Sequence, residues 1–108
     1  MTSKEMEARS GVPRANIRYY EAEGLLAPAR SGNGYRDYSE EDLRALEKIK
    51  LLRKLSLEVG TISRLKAGEL TLSQALREQA AVLEADRGDL ERYAQVCLEM
   101  SRTEVDFG

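Results

Sequence analysis

From Thr71 onward the chain carries a helical pattern longer than the small globule preceding it can cover. Thr71 and Gln74 have the spacing of a capping box, in which two side chains satisfy the orphan amides of a helix start. Leu76, Leu83, Leu90 and Cys97 then recur every seven residues, with Ala80 and Ala94 four places after two of them, a partial coiled-coil seam. The pattern predicts one long helix of about 30 residues, extending roughly 45 Å at 1.5 Å per residue. Arg87 and Gly88 interrupt the seam, and an interior Gly costs about 1 kcal/mol relative to Ala, so two helices broken at Gly88 are the second arrangement. Such a stripe needs a partner. A homodimer through an antiparallel or parallel helix pair supplies one, and a helix folded back on its own domain is the alternative.

The residues before that helix are punctuated into short elements. Thr2 and Glu5 form another capping box, so a helix should run to about Arg9 before Ser10 and Gly11 break it. Pro13 suits the first position of a second helix and Gly24 the left-handed residue that ends one, which leaves a tight turn and the spacing of a helix-turn-helix. Ala27 to Tyr38, APARSGNGYRDY, has a proline and glycines around Asn33 and favours a small hairpin or wing. Ser39 with Asp42 caps a third helix, about Glu40 to Lys54, along which Leu43, Leu46, Ile49, Leu52 and Leu55 recur at helical spacing. Ser56 and Leu57 read as a connector, and Val59, Ile62 and Leu65 mark a short fourth helix closed near Gly68. The fold class is therefore mainly α: a winged helix-turn-helix of four short helices and a small hairpin, followed by a long coiled-coil dimerisation helix. The expected divisions are 1–69 for the first domain, 70–103 for the long helix and 104–108 for a frayed tail.

Composition removes several function classes. The 108 residues contain no His and one Cys, which excludes a disulfide framework and a His/Cys zinc site within one chain, so neither metal nor cofactor is expected. No apolar run approaches the roughly 20 residues needed to span a bilayer, and MTSKEMEARS has no signal-peptide core, so the expected location is cytoplasmic, away from any membrane. Glu40, Glu41 and Asp42 form an acidic cluster, but at a helix N-terminus, where negative charge is favoured. With no Ser/His/Asp set and no Gly-rich phosphate loop, there is no catalytic residue to name and no enzyme is expected. Residues 1–66 hold 13 Lys or Arg against 10 Asp or Glu, net +3, whereas residues 67–108 hold 4 against 9, net −5. A basic front suits approach to a polyanion.

The second helix and the hairpin concentrate the groups such an approach needs. Arg14 and Arg18 lie one turn apart with Asn16 between them; arginine offers forked donors to guanine or phosphate, and asparagine pairs with adenine. Tyr19 and Tyr20 point about 100° apart on a helix and cannot serve one surface equally. Gly32, Asn33 and Gly34 allow close approach of a backbone, with Arg30, Tyr35 and Arg36 as flanking donors. A solvated helix with two half-buried tyrosines is the alternative for the first set, and turn chemistry alone accounts for the glycines equally well.

IRYYEAEGLL (17–26), PARSGNGYRDY (28–38) and SEEDLRALEKIKLLRKL (39–55), in this order and spacing, resemble the DNA-binding half of the MerR family of bacterial transcription regulators over about Thr2 to Gly68. The resemblance implies a winged helix-turn-helix joined to an antiparallel coiled-coil homodimer that binds double-stranded promoter DNA at a roughly palindromic site. It implies that an overlong promoter spacer is kinked and untwisted so that RNA polymerase, an indirect partner, engages both elements. Carried over by position, Arg18, Tyr19 and Tyr20 contact DNA from the second helix, with Arg14 and Asn16 candidates for bases. Arg30, Asn33, Tyr35 and Arg36 supply the wing, and Arg53 binds a phosphate. The dimer interface takes Leu76, Ala80, Leu83, Leu90, Ala94 and Cys97.

This chain departs from the family pattern in three places: Ser56 stands where Gly is common, Glu58-Val59-Gly60 opens the fourth helix, and Glu7 occupies a position commonly small and apolar. The cysteine pattern of metal-sensing members is absent, and the expectation is an effector domain absent or truncated. Two other uses of the pattern are a coiled-coil protein-interaction adaptor and an excisionase-like architectural DNA-bending protein.

Overall fold

The computed structural model describes residues 1–102, so the expected frayed tail 104–108 lies outside the described residues. In order these form α1 (Ser3–Ser10), α2 (Arg14–Ala22), β1 (Ala29–Arg30), β2 (Arg36–Asp37), α3 (Glu40–Lys54), α4 (Val59–Lys66) and α5 (Leu72–Arg102). They fall into two compact units, one of Met1–Leu72 and one beginning at Ser73.

Local chemistry sets the boundaries of the first unit. The Thr2 hydroxyl accepts from the Glu5 amide and the Glu5 carboxylate returns the bond to Thr2, completing the box that starts α1. Ser39 and Asp42 do the same for α3, at 3.1 and 2.8 Å. Pro13 sits one residue earlier than its expected place: its ψ of 145° is extended, which makes it the N-cap of α2, with its carbonyl accepting from the Asn16 and Ile17 amides. The two short strands pair antiparallel, Ala29 opposite Asp37 and Arg30 opposite Arg36, as the wing.

Three helices end in the same way, with crossed bonds back to the last turn. At α2, Gly24 and Leu25 donate to the carbonyls of Glu21 and Tyr20, both at 2.9 Å; at α4, Gly68 and Glu69 donate to those of Leu65 and Arg64, at 3.2 and 3.0 Å. At α3 the residue in the left-handed position is Ser56, with φ 66°, donating to Arg53, while Leu57 donates to Leu52. Gly24 and Gly68 adopt that conformation freely; Ser56 adopts it at a cost, because its Cβ approaches the carbonyl oxygen. Burial of Leu57 immediately afterwards holds the turn in place.

Met6 of α1, Ile17 of α2, Tyr38 after the wing, Leu46 of α3 and Leu57 before α4 are the largest fully buried side chains, so the helices build the core while the two strands of the wing contribute no buried residue to it. The apolar face of α3 is buried only from Leu43 through Ile49; Leu52 is half-buried and Leu55 exposed, because the helix runs past the core at its C-terminal end. α4 has no side-chain N-cap bond at Glu58 and is held by buried Val59 and Ile62.

In the second unit α5 is one continuous helix of 31 residues, with Gly88 inside it and no break. An ion pair from Arg87 to Glu91 at 4.0 Å spans the glycine, and one from Arg87 to Glu84 at 2.9 Å lies in the turn before it. Of the six expected seam residues, Leu76, Leu83, Leu90, Ala94 and Cys97 are exposed in the single chain and Ala80 is exposed as well. Val82, Tyr93 and Met100 are exposed too and widen the apolar stripe on one side, while Leu98 flanks it on the other.

Replacing Ser56 by Gly removes the left-handed strain, offset in part by a more flexible unfolded chain. The variant should gain about 0.5–1 kcal/mol in urea unfolding, whereas an unchanged midpoint would mean that the turn stores no strain.

Candidate nucleic-acid interface

Two basic concavities flank α2. The first, of about 350 Å³, is lined by Lys4 from the start of α1, Arg14 and Arg18 from α2, and Arg30, Tyr35 and Arg36 from the wing. Five cationic side chains share one open surface, two of them, Arg14 and Arg36, already paired with Glu7 and Glu21. The second, of about 290 Å³, lies beside Asn16 and Tyr20 and includes Lys50, Arg53 and Lys54 of α3. Eight of the ten sequence candidates therefore divide into two sets, Arg14, Arg18, Arg30, Tyr35 and Arg36 in one and Asn16, Tyr20 and Arg53 in the other, while Tyr19 and Asn33 line neither.

Packing explains the division. Ile17 and Tyr20 turn inward, so Arg14 and Arg18, one turn apart, are held outward by the helix. Tyr19 is 50% exposed and Tyr20 only 7%, and the two rings meet at a tilt with centroids 5.9 Å apart. The tyrosines thus serve different surfaces, Tyr19 toward solvent and Tyr20 toward the core.

Several candidates are already engaged within the chain. Arg36 donates from Nε to a Glu21 carboxylate oxygen at 2.8 Å, and the Tyr38 hydroxyl donates to the other oxygen. Burial, followed by the Glu21 hydrogen bond, pushes the Tyr38 hydroxyl pKa up. At the wing tip the Asn33 side-chain oxygen accepts from the Ser31 hydroxyl and from the Tyr35 amide, so it shapes the turn; Arg30 donates to the Gly34 carbonyl at 3.3 Å, and Tyr35 stands 72% exposed. Arg53 donates to the Leu57 carbonyl at 2.8 Å, across the turn that contains Ser56. Gly32 has no atom within 4 Å of where a Cβ would stand and no positive φ, so nothing within the chain requires a glycine there.

Sequence reasoning missed Lys4, Lys50 and Lys54. Lys50 donates from Nζ to the Ser10 carbonyl at 2.8 Å, pinning the turn between α1 and α2 to α3. Its four-residue spacing to Lys54 was a legible signal on a helix whose apolar positions dominate the pattern; Lys4 had none. In the acidic cluster, Asp42 completes the α3 cap and Glu40 pairs with Arg9 at 2.7 Å, which lowers the Glu40 pKa and raises that of Arg9. Among the described residues no helix is long and apolar enough to cross a membrane.

A sequence model described as MerR HTH family regulatory protein matches residues 1–69. The chain is 33% identical over 103 residues to the HTH-type transcriptional regulator HmrR of Rhizobium leguminosarum bv. viciae, spanning 95% of this chain and 80% of that protein. Its fold superposes on MtaN, the N-terminus of the Bacillus subtilis multidrug transporter activator, with a TM-score of 0.81 at 24% identity, covering 98% of this chain and 99% of that one. It also superposes on HiNmlR, a MerR family regulator lacking the sensor domain and bound to promoter DNA, with a TM-score of 0.61 at 20% identity over 88% of this chain and 78% of that one. The last two likenesses are likenesses of fold.

Substituting Glu21 by Ala deprives Arg36 and Tyr38 of their shared acceptor inside the wing contact and should cost about 1–3 kcal/mol in chemical unfolding. Glu40→Ala, which removes an exposed pair, should leave the midpoint unmoved. Equal effects of the two changes would contradict the role given to Glu21.

Proposed function

The chain belongs to the MerR family of helix-turn-helix regulatory proteins, and on that footing we propose that it reads promoter DNA as a homodimer in the cytoplasm, distorting the spacer of a palindromic site to govern access of RNA polymerase. The observation that carries this reading is the convergence of Arg14 and Arg18 with Arg30 and Tyr35 on one open basic surface. A helix in the major groove places the forked donors of Arg14 and Arg18 at base edges or phosphates, and the wing reaches the adjoining backbone. Gly32, which no contact within the chain explains, lets a sugar-phosphate strand approach the wing main chain. Tyr19 supplies an exposed hydroxyl to a phosphate at the rim of α2. In the second concavity Lys54 serves as a phosphate contact, beside Asn16 and Arg53. The reading gives the chain no catalytic step.

Dimerisation follows from α5. Its exposed stripe, Leu76, Leu83, Leu90 and Cys97 with Tyr93 and Met100 alongside, is what a second α5 covers. A parallel, in-register pair sets two copies of Arg87 against each other beside the seam, like charge against like. An antiparallel pair separates them and matches large leucines with Ala80 and Ala94. Two copies present two reading units to one palindrome.

The test is fluorescence anisotropy of the chain with duplex DNA from upstream of its own gene, against a shuffled duplex, across a salt series. Preferential binding with a steep salt slope is expected, and Arg18→Ala should lose about 1–3 kcal/mol of it while the protein remains a dimer by sedimentation. An Arg18→Ala variant that binds as well as the wild type would overturn the reading.

A further inference from the structure

Arg14 is the one arginine of the α2 face whose orientation is set by another helix. The Glu7 carboxylate of α1 accepts from Arg14 Nε at 2.9 Å with one oxygen, and the other lies 3.4 Å from the Arg14 backbone amide. Pro13, the α2 N-cap, makes no side-chain cap bond, and the first turn of α2 has no acidic residue. Glu7 therefore supplies from α1 both the acceptor and the negative charge that a helix N-terminus favours. The guanidinium is gripped by its Nε edge alone, so both Nη groups stay free as a donor fork. Both side chains are about half exposed, which keeps the pair at the edge of the basic concavity that Arg14 lines with Arg18 and Arg30.

Resting on the DNA-binding reading above, we propose that Glu7 is a positioning residue that determines specificity: it aims the Nη fork of Arg14 at one base pair and penalises its use as a general phosphate clamp. A guanidinium held at Nε by a carboxylate samples fewer rotamers, which favours one base-pair position for its fork. The same carboxylate repels phosphates that approach at random, and a repulsive element of this kind raises discrimination without adding affinity. Arg18, which pairs with no carboxylate among the described residues, takes the larger share of overall binding.

The test uses the whole chain and a duplex site selected from a randomised library, with all its single-base-pair variants. Arg14→Ala should flatten the preference at one or two base pairs. Glu7→Gln keeps the shape and a capping oxygen but loses the charge. It should flatten the same positions by about five- to tenfold, tighten binding to a shuffled duplex and steepen the salt slope. Glu7→Ala should do the same, with circular dichroism confirming that each variant stays folded. The proposal is overturned if Glu7→Gln weakens every duplex equally, the mark of a merely structural role, or if it leaves the Arg14 positions as selective as before. An Arg18→Ala control that binds as well as the wild type would instead overturn the underlying DNA-binding reading.

Discussion

The Glu21 carboxylate joins the two elements on which the basic surface depends. It lies on the last turn of α2, nearly buried, and accepts from Arg36 of β2 with one oxygen and from Tyr38 with the other. A two-stranded hairpin is marginal by itself in water, so the wing keeps a defined position only by being tied to something stable. Here that is α2, itself anchored in the core by Ile17 and Tyr20. The ring of Tyr38 is fully buried while its hydroxyl reaches Glu21, so one residue contributes to the core and to the polar tie. Loosening that tie separates Arg30 and Tyr35 from Arg14 and Arg18, and with them the surface.

A second set of constraints ties neighbouring elements and turns together. Lys50 reaches the Ser10 carbonyl, Arg53 reaches the Leu57 carbonyl, and Glu7 reaches Arg14, each crossing from one element or turn to the next. These charged side chains set geometry at the edge of the basic surface. Charge there serves two ends: internal donors and acceptors orient the elements, and the guanidinium and ammonium groups left over give the field that a polyanion meets.

Most of the architecture was legible because its signals are local. The capping pairs Thr2/Glu5 and Ser39/Asp42 form as their spacing predicts, Gly24 and Gly68 end helices, and α5 passes through Gly88 unbroken because the flanking residues propagate a helix already formed. Pro13 lies one residue off its expected place because proline serves equally as N-cap or first helical residue until ψ is known. What periodicity cannot show is which charges meet. Arg36 has the sequence setting of a free wing donor, yet its Nε is committed to a glutamate fifteen positions away; Arg9 and Glu40 meet across thirty-one. Such pairs follow from tertiary placement. The width of the α5 stripe escapes the 76/83/90/97 repeat for a simpler reason: Tyr93 and Met100, themselves seven residues apart, lie on a parallel track three places after Leu90 and Cys97.

The proposed function assigns reading to the first unit and pairing to α5, and a single measurement tests both. Selection of bound duplexes from a fully randomised library, followed by sequencing, requires no assumption about the operator. Two inverted copies of one half-site at a fixed separation are predicted, because a symmetric dimer presents the same Arg14 and Arg18 fork twice. No enrichment over the starting pool, or a single half-site without its inverted mate, would contradict the account of a dimer that reads sequence.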